Sequence, residues 1–208
     1  MYNFICIEGN IGAGKTTLAQ MLSKERGARL IEEQFEDNSF LPKFYADPTR
    51  YAFPLETSFL AARFNQLKNL LNNLDLFNQL TISDYALFKS LVFARTNLED
   101  DEYLLFMKLY EIIEKQIPLP ELIVYLYRPV PKLLYHIQKR GRSYEAEIPP
   151  AYLEKINETY LEHFRSLTDT RILLLRADNL NYVDSEVDYN YIKSLIFKDY
   201  PLGLSFVE

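Results

Sequence analysis

The chain has 208 residues and only six glycines, where average usage of about 7% would give roughly fifteen. With so few flexible positions, the placing of each one carries information. Cys6 is the single cysteine, which excludes an intrachain disulfide and a cysteine-based zinc cluster. Two histidines, His136 and His163, leave little for a histidine metal centre. No apolar run approaches the roughly 18 residues of a membrane span. No cationic segment precedes the first apolar run, so a cytoplasmic protein is expected. Positive charge is also short: 23 Lys and Arg against 29 Asp and Glu give a net charge of −6. That balance argues against coating polymeric nucleic acid or an anionic membrane through bulk charge. It leaves room for a local cationic pocket.

What is present is a core. Hydrophobic residues make up 48% and aromatic residues 14%, too much for disorder. The length suits one domain, residues 1–208. Five segments read as strands: residues 2–8, 29–33, 76–83, 121–127 and 171–175. Helical spacing marks residues 15–26, 55–71, 84–93, 103–115, 131–140, 150–164 and 187–197. Residues 34–51 read as irregular, with Pro42 and Pro48 breaking any long helix. Strands alternating with helices predict an α/β fold, a five-stranded parallel sheet flanked by helices in three layers.

Gly9-Asn10-Ile11-Gly12-Ala13-Gly14-Lys15-Thr16 matches the phosphate-loop pattern G-x-x-x-x-G-K-[ST], between a buried strand and a helix. Glycines let backbone N–H groups cradle the α/β-phosphates beside the positive end of the helix. In this arrangement Lys15 reaches the β/γ-phosphates and Thr16 places its hydroxyl on Mg²⁺, with Thr17 next in line. The guanine-nucleotide segments D-x-x-G and N-K-x-D of GTPases are absent. A kinase for a hydroxyl acceptor needs a carboxylate and clustered positive charge. Glu32-Glu33 ends the second strand, at the sheet edge that carries the loop, and alternation turns one of the two toward the crevice. Residues 122–144 hold five cations (Arg128, Lys132, Lys139, Arg140, Arg142) and no acid.

The segments G-N-I-G-A-G-K-T-T, F-Y-A-D-P-x-R-Y-A-F-P-L, K-R-G-R and I-P-x-x-Y-L-E-K-I resemble the deoxynucleoside kinase family in its bacterial form, over roughly residues 3–197. The resemblance implies transfer of the ATP γ-phosphoryl to the 5′-hydroxyl of a deoxynucleoside, with Mg²⁺ and as a homodimer. It implies Glu33 as the carboxylate that takes the 5′-hydroxyl proton, with Lys15, Arg140 and Arg142 completing the catalytic set. Tyr45 and Glu145 match the pair that holds the sugar 3′-hydroxyl, Tyr152 a tyrosine behind the lid, and Arg63 an arginine near the base. Residues 139–148 match the arginine lid, with Gly141 as its bend.

Two positions depart from the family pattern. Ser83-Asp84-Tyr85 keeps an acid, a candidate Mg²⁺ ligand, but lacks the Arg that usually follows it. Lys89, one helical turn on, is a candidate for the missing charge, although a Lys is not a bidentate Arg. Glu56 stands where a base-reading Gln is common. An ionised Glu only accepts hydrogen bonds, which favours a purine with adjacent donors over thymidine. The alternative is that Glu56 merely pairs with Arg63. His136 reads as a polar surface residue, and residues 177–187 as a place for the donor base.

Two other functions compete. A thymidylate-type monophosphate kinase would need arginines for the acceptor phosphate, with Arg50, Arg63 and Arg95 as candidates, against repulsion from Glu33. A non-catalytic nucleotide-binding protein would explain the absent Arg.

Overall fold

The computed structural model describes residues 2–34, 38–71 and 80–207, with the side chains of residues 70 and 71 outside the description. Six strands form one sheet in the order β2-β3-β1-β4-β5-β6, with every neighbouring pair parallel. They are β1 (Phe4–Gly9), β2 (Arg29–Ile31), β3 (Thr81–Ser83), β4 (Leu122–Tyr127), β5 (Arg171–Arg176) and β6 (Gly203–Val207). The helices are α1 (Lys15–Arg26), α2 (Leu41–Ala46), α3 (Pro48–Leu71), α4 (Lys89–Asn97), α5 (Asp100–Glu114), α6 (Val130–Arg140), α7 (Pro150–Ser166) and α8 (Glu186–Ile196).

The central strands are apolar on both faces because both faces are covered. Along β1, Phe4 and Cys6 join one core while Ile5 and Ile7 join the other, and β4 and β5 alternate in the same way. The first core packs the sheet against α3, α4, α5 and α7 through residues such as Leu60, Val92, Phe106 and Tyr160. The second packs it against α1, α6 and α8 through Leu18, Leu133 and Ile192. The chain leaves β1 toward β2 on one side and later reaches β4 on the other. A crevice therefore opens at the carboxyl ends of the central strands, where the phosphate loop begins.

Three sequence expectations change. The sheet has six strands rather than five. The added strand, β6, has no continuous apolar run in G-L-S-F-V; it is an edge strand, held by parallel pairing to β5 with Phe206 exposed. Residues 34–51 are not wholly irregular: Pro42 falls in the first turn of α2 and Pro48 opens α3, positions where a missing N–H costs little. The helix expected from residue 84 starts only at Lys89. The Glu33 N–H donates to the Asp84 carboxylate (2.8 Å) and the Ala86 N–H to Glu8 Oε1 (2.9 Å), which ties this loop into the site instead of into a helical turn. The expected third strand, residues 76–83, is described only from residue 80, and its ladder pairs begin at Thr81.

Candidate active site

All six glycines have positive φ, so the chain uses glycine only where the backbone departs from ordinary L-residue geometry. At Gly12 a Cβ would also lie 2.8 Å from the Leu133 carbonyl oxygen, because α6 packs directly over the loop. At Gly14 it would meet the Tyr182 hydroxyl at 2.1 Å. The loop's carbonyls are drawn to surrounding donors. Lys15 Nζ donates to Asn10 O (2.9 Å), His136 Nδ1 to Gly12 O (2.8 Å), Arg128 Nε to Ala13 O (3.0 Å) and the Tyr182 hydroxyl to Gly14 O (2.9 Å). Turning carbonyls outward is what leaves N–H groups for an anion. His136 is thus no surface residue: it is half-buried, lines the cleft, and burial holds its imidazole below the ordinary value. Asn10 anchors the loop to α7, its Nδ2 donating to Leu153 O (2.8 Å) and Asn157 Oδ1 (2.9 Å).

Two pockets meet here. The larger, about 1310 Å³, runs from Gly12, Gly14 and Thr17 past Arg128, Lys132 and Lys139 to residues 180–184. The smaller, about 120 Å³, is lined by Ile11, Phe44, Tyr45, Glu56, Phe59, Phe93, Asn97 and Tyr152 among others. Lys15, Thr16, Glu33, Asp84, Arg140 and Arg142 line both.

At that junction Glu33 is held by two cations. Its Oε1 accepts from Arg63 Nε (2.8 Å) and Nη2 (2.6 Å), and its Oε2 from Lys89 Nζ (2.5 Å). Burial alone would raise the Glu33 carboxyl, but Lys89 and Arg63 outweigh it and hold the group well below the usual carboxylate range. Glu32 instead pairs with Gln20 on the exposed side. Burial and the neighbouring Lys89 push Lys15 down to about 8, against the opposing pull of Glu8, Glu33 and Asp84. Thr16 donates its hydroxyl to Asp84 Oδ2, so a hydroxyl and a carboxylate stand together as hard oxygen donors beside the loop.

In the segment expected to form the lid, α6 ends at Gly141 in a left-handed cap, and Ser143–Glu145 forms a single 3-10 turn. Arg140 (2.5 Å) and Arg142 (3.5 Å) both reach Glu145, whose side chain is 6% exposed. Tyr45 stacks on Tyr144, ring centroids 5.9 Å apart, which seats α2 against the lid. Burial raises the Tyr45 hydroxyl, with Glu145 adding to it, so it stays a neutral donor.

Arg63 lines the smaller pocket, yet its guanidinium is committed to Glu33 and, through Nη1, to Ser90 (2.8 Å). The alternative in which Glu56 merely pairs with Arg63 therefore fails. Glu56 Oε1 accepts from Asn97 Nδ2 (2.7 Å), while Oε2 is buried with no partner. Sequence reasoning missed Asn97, Arg128 and Tyr182 as parts of the site. Arg128 had a signal in the acid-free cationic run, Tyr182 lay in the loop read for the donor base, and Asn97 had none.

A parallel α/β sheet with a phosphate loop at its switch point, joined to a second pocket through a buried carboxylate, defines a P-loop phosphotransferase. Comparison with known proteins narrows this. The deoxynucleoside kinase family profile matches residues 5–200. Deoxyguanosine kinase of Bacillus subtilis (strain 168) is 35% identical over 201 residues, covering 93% of this chain and 97% of that protein. Deoxyadenosine/deoxycytidine kinase of the same organism is 26% identical over 93% of this chain and 90% of its own length. A solved structure of deoxyadenosine kinase from M. mycoides with bound dATP superposes with a TM-score of 0.78 at 25% identity, covering 93% of this chain and 99% of that one. The chain belongs to the deoxynucleoside kinase family.

Proposed function

We propose that the protein transfers the γ-phosphoryl of ATP to the 5′-hydroxyl of a purine deoxynucleoside in deoxynucleotide salvage, in the cytoplasm. One observation carries the reading: two pockets meet at Glu33, Lys15 and the lid arginines. The larger, with the phosphate loop, takes the triphosphate. The smaller, with three phenylalanines and a few polar groups, takes the nucleoside. The dATP named for the M. mycoides structure supports a triphosphate of this size.

The bond from the γ-phosphorus to the β-bridging oxygen breaks, the bond to the 5′-oxygen forms, and the hydroxyl proton passes to Glu33. A Glu33 held so firmly as a carboxylate is a weak base. It orients the hydroxyl and takes the proton late, as suits a loose transition state. A carboxylate offers about four acceptor positions, so Arg63 and Lys89 leave one on Oε2 for the hydroxyl. Lys15, Lys89, Arg140 and Arg142 gather positive charge where the phosphoryl passes. Residues 139–148 act as the lid that brings the arginines in and excludes water. Tyr45 and Glu145 bind the 3′-hydroxyl. Thr16 and Asp84 would hold Mg²⁺, their oxygens fitting a hard cation. Such an ion would supply neutralisation of negative charge on the donor phosphates. A homodimer forms through the exposed apolar face of α5.

A monophosphate acceptor is disfavoured: Arg95 is 53% exposed and paired with Asp100, Arg50 is exposed, and neither lines the nucleoside pocket. The test is ATP consumption with each deoxynucleoside and each monophosphate. Turnover with purine deoxynucleosides is expected. Turnover with monophosphates alone, or with nothing, rejects the reading.

A further inference from the structure

The two oxygens of Glu56 have unequal surroundings. The residue is 1% exposed on α3, on the wall of the nucleoside pocket. Oε1 is satisfied by Asn97 from α4, whereas Oε2 is buried without a partner. No full positive charge bonds this carboxyl. Arg63 on the same helix is taken by Glu33 and Ser90, and Lys89 on α4 by Glu33. Tyr45 of α2 and Tyr152 of α7 face the same pocket as neutral hydroxyls. The lid charges Arg140, Arg142 and Glu145 are paired among themselves. A carboxyl in these surroundings has a buried acceptor that lacks a donor, and little to favour its charged form. Phe44, Phe59 and Phe93 line the rest of the pocket, walls suited to the faces of a flat heterocycle. What remains for Glu56 Oε2 is the edge of that ring.

Resting on the proposed nucleoside kinase activity, we infer that the Glu56–Asn97 pair is a two-state reader of the purine. As a carboxylate, Glu56 accepts the adjacent N1–H and N2–H groups of guanine. As a carboxylic acid, it donates to a ring nitrogen of adenine and accepts from the 6-amino group.

The hydrogen-bond inventories decide the matches. A carboxylate only accepts, so it suits two neighbouring donors and sets lone pair against lone pair at an adenine ring nitrogen. A carboxylic acid both donates and accepts, so it suits adenine and sets O–H against N–H on guanine. Burial pushes the Glu56 carboxyl up to about 7; Arg63, Asn97 and Lys89 offset part of the rise, while Glu33 adds to it. Both forms are therefore present near neutrality. Guanine draws the group toward its ionised form and adenine toward its protonated form, so rising pH favours guanine.

The experiment is competition between deoxyguanosine and deoxyadenosine in one reaction, read as the ratio of their kcat/KM values from about pH 6 to about pH 8. Titration of Lys15 or Glu33 acts on both substrates and cancels in the ratio. Strict one-proton discrimination raises the guanine-to-adenine ratio about tenfold per pH unit, and at least about a fivefold rise across the range is expected. Glu56→Gln, which cannot titrate, flattens it. A ratio constant within about twofold in the wild type overturns the inference. So does a slope that survives in Glu56→Gln, or deoxyadenosine that is no substrate even at the acid end. If neither nucleoside is phosphorylated, the kinase reading falls with it, an outcome distinct from an active enzyme with a flat ratio.

Discussion

Glu33 and Glu56 lie in one pocket, and their surroundings shift them in opposite directions. Lys89 and Arg63 hold Glu33 charged, whereas Glu56 has one neutral donor and drifts toward the acid. This has a consequence for stability. An unfolded glutamate titrates near 4.3, and in the folded chain Glu56 holds its proton up to about 7. The folded state thus binds the proton more tightly. Its contribution is complete below the unfolded value and is lost as pH rises through about 7, a difference on the order of 3 kcal/mol. The expected outcome is that Glu56→Gln gains on the wild type between about pH 5 and about pH 8, measured as the difference in Tm. A Tm difference independent of pH would show that Glu56 is ionised throughout. At this scale the sequence was legible where spacing alone sets a residue's place, as with Lys15, Thr16 and Glu33, which the fold brings to one cleft. It was not legible where a residue acts through a distant partner. Asn97, 41 positions from Glu56, carries no mark of that contact. His136 looked like an exposed helix position until α6 was laid on Gly12.

Among the elements, α5 has a face without a partner among the described residues. Leu104 (60%), Leu105 (51%) and Ile112 (67%) are exposed on the side opposite Phe106 and Tyr110. A contiguous apolar patch of this kind marks an association surface, and a second copy of α5 is the proposed cover. Leu105→Lys with Ile112→Lys should convert a dimer to a folded monomer in sedimentation. A wild type that sediments as a monomer would contradict the proposal. The strands and helices with strong periodicity (β1, α1, β4, α6, α7 and β5) were readable from the sequence. Three elements were not, each for a physical reason. β6 is stabilised by pairing to β5 rather than by its own apolar run. α2 is one short segment with a proline in its first turn. Residues 84–88 have helical composition, but their polar groups go to Thr16, Glu33 and Glu8. That last displacement also corrects Lys89. It stands at the start of α4, not a turn into a helix begun at Asp84, and its ammonium reaches Glu33 from there.

For the whole molecule, the fold brings four distant stretches of chain to one point. The phosphate loop follows β1, Glu33 follows β2, Asp84 and Lys89 follow β3, and the lid arginines end α6. Parallel strands place these ends on one edge of the sheet, which is why a chain of net charge −6 still concentrates cations there. Four of the six glycines lie in the same region: three in the phosphate loop and a fourth, Gly141, at the end of α6 in the expected lid. In the proposed reaction Glu33 stands between donor phosphate and acceptor hydroxyl and acts on the chemistry rather than on binding. This role is tested most directly by measuring kcat and the nucleoside Kd for Glu33→Gln with ATP and deoxyguanosine. The expected result is a kcat lower by about 10²–10⁴-fold with Kd changed by less than about threefold. A folded variant that keeps its kcat would contradict it.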